Sequence, residues 1–143
     1  MPNYSRTRWT RLLGATTLTA LALASLLPTG LVPRTGLGWQ TEHFLAYLFT
    51  ATVLCIAWPR PPIVAISLIV VSALLESLQG LTPDRIPDIT AALLGAGGAI
   101  SAAVLVNLFS RARTWWLAVT DEQKSAKRFM PPTSPTSYTP QPS

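Results

Sequence analysis

Charged residues are scarce in this sequence. Only 12% of its 143 residues are Asp, Glu, Lys or Arg, whereas soluble domains average about 25%. Hydrophobic residues make up 49% of the chain. So little charge cannot cover the surface of an ordinary soluble domain, and the composition therefore favours a membrane protein.

Cysteines and cofactor motifs are also lacking. Cys55 is the only cysteine, which excludes an intrachain disulfide and predicts a small buried apolar residue. No zinc signature, nucleophile elbow or P-loop occurs. We therefore expect no metal site and no cofactor. No DNA-binding or RNA-binding module occurs either, so we expect no nucleic-acid partner.

The hydrophobic residues fall into four blocks, at 12–32, 40–58, 63–81 and 89–109. A helix needs about 20 apolar residues to cross the hydrocarbon core, and each block meets or approaches that length. None alternates with a period of two residues, as a barrel strand would. The sequence thus predicts an all-α fold over residues 1–110, an integral membrane domain of four transmembrane helices with short loops.

The first block has two interpretations. Three arginines precede the run 12-LLGATTLTALALASLLP-28, as in a signal peptide, and 22-ALA-24 offers small residues for cleavage. The apolar run continues beyond this point, and the chain that follows is itself hydrophobic. These features favour a retained first span over a cleaved signal. Pro28 and Gly30 predict that its helix kinks or ends early.

The basic residues predict the orientation. Three arginines precede the first span and five Lys or Arg follow the fourth, whereas each of the three loops holds one arginine, Arg34, Arg60 or Arg85. By the positive-inside rule, both termini face the cytoplasm and the loops after the first and third spans face outward. The tryptophans agree, since all lie at predicted span ends, where their rings suit the headgroup layer: Trp9, Trp39, Trp58, Trp115 and Trp116.

Two segments follow the fourth span. Residues 111–130 predict a short, basic, amphipathic juxtamembrane helix, with Trp115, Trp116 and Leu117 in the membrane interface and the basic groups near anionic lipid. Residues 131–143, PPTSPTSYTPQPS, are too rich in Pro, Ser and Thr to form a core, and we expect a disordered tail. Membrane lipids are therefore expected partners.

Polar side chains gather at the outward face and form a predicted polar patch: Glu42, His43, Glu76, Gln79, Asp84, Arg85 and Asp88. Glu76 is its deepest member, about 8 Å inside the end of its span, where an unpaired carboxylate costs a few kcal/mol. One interpretation is a protonated or Arg-paired carboxyl that joins helices. The other is a proton carrier, a general acid or base, or a ligand for a cationic group.

Other members of the predicted polar patch have simpler interpretations. Gln79 predicts an interhelical hydrogen-bond donor, and Asp88 predicts the N-cap of the fourth helix. Arg85 either pairs with an acidic residue or binds a lipid phosphate. His43 either rests in the interface or acts as the proton partner of Glu76. Farther along, small residues four apart in the stretch 95–103 predict close helix packing.

Three motifs occur in order: 42-EHF-44 at the entry to the second span, Glu-x-x-Gln late in the third, and Arg-x-x-Asp-x-Thr before a last span rich in Gly and Ala. This layout, over about residues 12–109, resembles the VanZ-like family of small bacterial membrane proteins. A second acidic residue and an Asn often follow in that family, where this chain has Ala91 and Gly95. The resemblance implies a bacterial cytoplasmic membrane, a cell-envelope role and a link to teicoplanin resistance.

Three classes of function fit these features. The first is a non-enzymatic envelope protein whose polar patch binds a lipid headgroup, a cell-wall precursor or a partner protein. The second is an intramembrane enzyme acting on a lipid-linked substrate, with Glu76 as general acid or base, His43 as proton partner and Arg85 as anion anchor. The third is a proton-coupled transporter or channel that uses Glu76, although no internal repeat supports it.

Overall fold

A computed structural model describes residues 4–32, 35–81 and 87–129 of the chain. Its elements are α1 (Tyr4–Leu26), a short 3₁₀ helix (Thr29–Leu31), α2 (Trp39–Ala57), α3 (Pro61–Gln79) and α4 (Ile89–Phe129). The described residues contain no strand, so the all-α prediction is confirmed for them. The chain divides into two compact units, residues 1–109 and 110–143. The predicted tail, 131–143, lies outside the described residues.

The helix ends follow local sequence signals. α1 ends at Leu26, two residues before Pro28, so the predicted early end is confirmed; the ring of a proline cannot continue a helix. Pro61 opens α3, a position where its missing N–H costs nothing. The helix predicted for 111–130 is present as a continuation of α4, because residues 99–129 contain neither Gly nor Pro to end it.

The helices of the first unit pack around a small core of aliphatic and small side chains: Ala51, Leu54, Cys55, Val64, Leu68, Ala99 and Ala102. Leu18 of α1 packs against this core from its edge. Because many of the core side chains are small, the backbones approach one another closely. The buried, apolar interpretation of Cys55 is confirmed.

Two glycines mark close contacts between helices. A Cβ atom added at Gly98 would lie 2.5 Å from the carbonyl oxygen of Phe44, so the backbones of α4 and α2 touch there. At Gly14 of α1, an added Cβ would lie 3.0 Å from the ring of Trp58 and 3.1 Å from Leu54. The predicted close packing of the stretch 95–103 is thereby confirmed, and α1 packs directly against the end of α2.

The outside of this unit is apolar. Large hydrophobic side chains are exposed on every helix, including Leu13 and Leu23 of α1, Phe49 and Ile56 of α2, Ile66 and Leu74 of α3, and Ile100 and Leu105 of α4. Within the described ranges, two helices are long and apolar enough to cross a membrane, Pro61–Gln79 and Ile89–Ser125. An apolar exterior of this kind favours contact with lipid over contact with water.

Candidate functional site

The polar side chains of the first unit meet at one end of its helices. Gln79, in the last turn of α3, donates from Nε2 to the carbonyl oxygen of Ser25 near the end of α1, at 3.1 Å. Both residues are buried. The predicted role of Gln79 as an interhelical hydrogen-bond donor is confirmed, and the bond ties the first helix to the third.

Glu76 lies one turn deeper on α3 and is only 7% exposed. Its Oε1 accepts a hydrogen bond from the backbone N–H of Asp88, at 2.6 Å. The free N–H groups at a helix N-terminus carry partial positive charge and therefore favour an acceptor oxygen at this position. The carboxyl group therefore joins α3 to the start of α4 through a backbone partner that the sequence analysis did not anticipate.

Asp88 also caps α4. Its Oδ1 accepts from the N–H of Thr90 at 2.8 Å, and its carbonyl accepts from Ala91 and Ala92 at 2.9 and 3.3 Å. The predicted N-cap is confirmed, since one side-chain oxygen satisfies an N–H group that the first helical turn leaves without an intrahelical acceptor. The same residue thus anchors Glu76 through its backbone and the helix through its side chain.

A second link between helices runs through Tyr47 of α2 and Ser72 of α3, which are 1% and 2% exposed. Ser72 Oγ donates to the carbonyl oxygen of Ala92 on α4 at 3.3 Å. Tyr47 lies near both Ser72 and Glu76 and interacts with each of them.

Because Gly95 has no side chain, Tyr47 and Ser72 can occupy the space beside it. A Cβ atom at position 95 would collide with Ser72 Oγ and lie 3.1 Å from two ring atoms of Tyr47. A larger side chain has no room at this position while Tyr47 and Ser72 hold their positions.

His43 completes the group. Its ring centroid lies 5.1 Å from that of Tyr47, with an interplanar angle of 34°, and its Nε2 atom is buried. We call His43, Tyr47, Ser72 and Glu76 the buried polar cluster. It brings together an imidazole and a phenol of α2 with a hydroxyl and a carboxyl group of α3.

The other members of the predicted polar patch are placed differently. Glu42 Oε1 accepts from both the N–H and the Oγ1 hydroxyl of Thr35, each at 2.7 Å, so it binds the loop before α2. Asp84 and Arg85 lie outside the described residues. Among the described members of the predicted polar patch, Glu42 therefore contacts a loop. Glu76, Gln79 and Asp88 instead form hydrogen bonds at helix ends and between helices.

Ser72 and Tyr47 are not among the site residues predicted from the sequence. Ser72 lies inside the apolar run 63–75, where a single serine is unremarkable in composition. The available signal was spacing. Ser72 lies four residues before Glu76 on α3, and Tyr47 lies four residues after His43 on α2, so each pair shares a helix face.

The chemistry of the buried polar cluster follows from its groups. A carboxylate in a medium of low dielectric attracts a cation or a hydrogen-bond donor more strongly than in water. Tyr47 supplies an aromatic ring beside it, which also attracts cations. The hydroxyl of Ser72 donates to a backbone carbonyl, so its proton is not directed to a general base. The arrangement is better suited to binding a polar group than to attacking one.

Comparisons with protein-family models, curated proteins and solved structures found no match to this chain.

Proposed function

We propose that this chain is a VanZ-like, four-span protein of the bacterial cytoplasmic membrane. In this proposal its outward-facing polar end binds the headgroup of a lipid or a cell-wall precursor, without catalysing a reaction. The observation that carries the proposal is the buried carboxyl group of Glu76, which lies between helices whose outer surfaces are apolar. Carboxyl groups at membrane depth are costly, and proteins keep them mainly where they act.

The packing of α1 and α2 supports four spans. α3 and α4 have the length and composition of spans by themselves, and α1 and α2 pack against them with leucine and phenylalanine side chains exposed on their outer faces. The bond from Gln79 to Ser25 and the contact of Gly14 with α2 make α1 part of the bundle. Both features favour a retained first span over a cleaved signal.

The orientation rests on the basic residues. Most Lys and Arg residues lie before the first predicted span or after the fourth. By the positive-inside rule, both termini then face the cytoplasm. The end of the bundle that holds Gln79 and Asp88 then faces outward. Glycopeptide antibiotics and the precursors they bind lie on that side, so a protein that binds there could alter susceptibility to teicoplanin.

Acid-base chemistry is the second candidate, and one observation favours it. The ring of Tyr47 lies 5.1 Å from that of His43, and Tyr47 interacts electrostatically with Glu76, so an imidazole, a phenol and a carboxyl group lie near one another. Such a series can carry a proton. It would serve an intramembrane enzyme acting on a lipid-linked substrate, or a proton-coupled transporter or channel.

Susceptibility to lipoglycopeptides tests the proposed function. A Gram-positive host would express wild type, Glu76→Gln, or Glu122→Gln, which changes an exposed acid in the second unit. Membrane abundance of the three proteins would be matched. We expect wild type and Glu122→Gln to lower susceptibility and Glu76→Gln to have no effect. Susceptibility equal to that of the empty vector for all three, despite correct insertion, would rule out the link to glycopeptide resistance.

A further inference from the structure

The second unit presents a face that the proposed function does not use. Residues 110–129 continue α4, and the side chains from 111 to 118 are all exposed. Trp115 and Trp116 are adjacent and remain 69% and 61% exposed. Two neighbouring indole rings form an apolar patch that stable proteins normally cover. An exposed apolar face of this kind is suited to contact with a partner or with lipid.

Helical spacing places the two tryptophans on one stripe. Ala112 lies three and four residues before Trp115 and Trp116, and Val119 lies four and three residues after them. Residues at these separations are neighbours on a helix surface. Ala112, Trp115, Trp116 and Val119 therefore form one continuous apolar stripe, which we call the tryptophan stripe.

Leu117 does not belong to the tryptophan stripe, although the sequence analysis grouped it with the tryptophans. It lies four residues after Arg113 and four before Asp121, so it shares a face with charged side chains. The expected position of Leu117 in the membrane interface stays a prediction.

Basic side chains border the tryptophan stripe. Arg111 lies four residues before Trp115, and Arg113 lies three residues before Trp116, so each guanidinium is next to an indole. The sequence from 110 to 129 contains five Lys or Arg and two Asp or Glu. An apolar stripe bordered by cations is typical of helices that lie in the interface of a bilayer.

Two threonine hydroxyls of this segment form their hydrogen bonds within the helix. Thr114 Oγ1 donates to the carbonyl oxygen of Arg111 at 2.8 Å. Thr120 Oγ1 donates to the carbonyl oxygens of Trp116 and Leu117 at 3.1 and 2.9 Å. Hydroxyls that bond within their own helix can enter a region poor in water at little cost.

We propose that residues 110–125 bind the surface of a bilayer containing anionic lipid, with the tryptophan stripe among the acyl chains and the arginines on headgroup phosphates. Arg binds phosphate through two parallel hydrogen bonds, and tryptophan favours this depth of the bilayer. A second copy fits the face poorly, because pairing two basic faces brings like charges together. This surface is separate from the buried polar cluster and does not depend on any ligand there.

Labels on opposite sides of the helix test the proposal in the full-length protein. In a Cys55→Ala background, Val119→Cys and Asp121→Cys would each carry an environment-sensitive fluorophore and be reconstituted into phosphatidylglycerol or phosphatidylcholine vesicles. We expect the label at 119, on the tryptophan stripe, to shift to shorter wavelength and resist aqueous iodide in phosphatidylglycerol alone. The label at 121 should remain in water in both lipids. A third label at Val70, exposed on α3, reports insertion of the first unit independently.

Removing the cations checks the role of charge. Arg111→Gln, Arg113→Gln and Lys124→Gln should each lower the ratio of docked to undocked helix by roughly five-fold in phosphatidylglycerol. Equal signals at 119 and 121 with the Val70 label inserted would overturn the proposal. A blue shift at 119 that ignores lipid charge but grows with protein density would also overturn it, and would identify a second copy as the partner.

Discussion

The backbone N–H of Asp88 donates a hydrogen bond to Oε1 of Glu76, at 2.6 Å. This bond connects the buried carboxyl group of Glu76 on α3 to Asp88, the residue that caps α4. It gives Glu76 a structural role alongside any ligand-binding role. Variants at this position must therefore be compared for stability as well as for phenotype.

Replacing Glu76 by alanine should destabilise the protein more than replacing it by glutamine. Alanine removes the acceptor of the Asp88 N–H, and hydrogen bonds to charged groups contribute about 1.5–3 kcal/mol. Glutamine keeps a carbonyl oxygen at the same position and should retain part of that stability. Thermal unfolding of both variants in detergent measures the difference. Equal destabilisation by the two would show that the bond to Asp88 contributes little.

Asp88→Ala should lower the free energy of unfolding by about 1 kcal/mol through loss of the N-cap. Asp88→Asn should cost less, because its amide oxygen can still accept from the Thr90 N–H. The bond to Glu76 should persist in both variants, since Asp88 supplies it from the backbone. Chemical unfolding of the purified variants tests the order. A loss with Asn as large as with Ala would argue against the cap.

Gly95→Ala should destabilise the protein, and Ser72→Ala should partly rescue it. The added Cβ would collide with Ser72 Oγ, so deleting that oxygen removes the strongest conflict. Gly97→Ala is the matched control, because its Cβ would meet the Phe44 ring at an ordinary 3.6 Å. Alanine also favours the helix by about 1 kcal/mol over glycine. A double-mutant cycle on melting temperature would detect the coupling, and strict additivity would contradict the contact.

Gly98→Ala should be more damaging than Gly97→Ala, and no side-chain change should rescue it. The added Cβ would lie 2.5 Å from the Phe44 carbonyl oxygen and 3.0 Å from the Leu48 nitrogen. Backbone atoms can yield only if α4 moves away from α2 as a whole. Melting temperatures of the two adjacent variants give the comparison. A Gly98→Ala protein as stable as wild type would contradict this close approach.

Tyr47→Phe distinguishes the two candidate functions. It removes the phenol but keeps the ring beside His43, so packing should persist and stability should fall by about 0.6–2 kcal/mol, the value of a hydrogen bond between membrane helices. If the cluster binds a headgroup, much of the susceptibility phenotype should survive. If it transfers protons through Tyr47, the phenotype should vanish. Tyr47→Phe and wild type would be compared at equal membrane abundance.

Much of the fold could be predicted because its signals are local. Pro28 ends α1, Asp88 caps α4 and Gln79 bonds across helices as the residues themselves suggest. Composition and the length of the apolar runs favour helices among lipid, since a buried backbone must satisfy its own hydrogen bonds. The continuity of α4 past residue 110 was not anticipated, although the absence of Gly and Pro there allowed it.

The partners inside the buried polar cluster could not be predicted in the same way. Spacing shows that Ser72 shares a face with Glu76, and His43 with Tyr47, because both relations lie within one helix. Which residues then meet across helices depends on the axial position and rotation of each helix, and these are set by packing at small residues such as Gly95. Residue chemistry therefore specified the helices and their caps, whereas packing between helices brought Tyr47 to Ser72 and Glu76 to the start of α4.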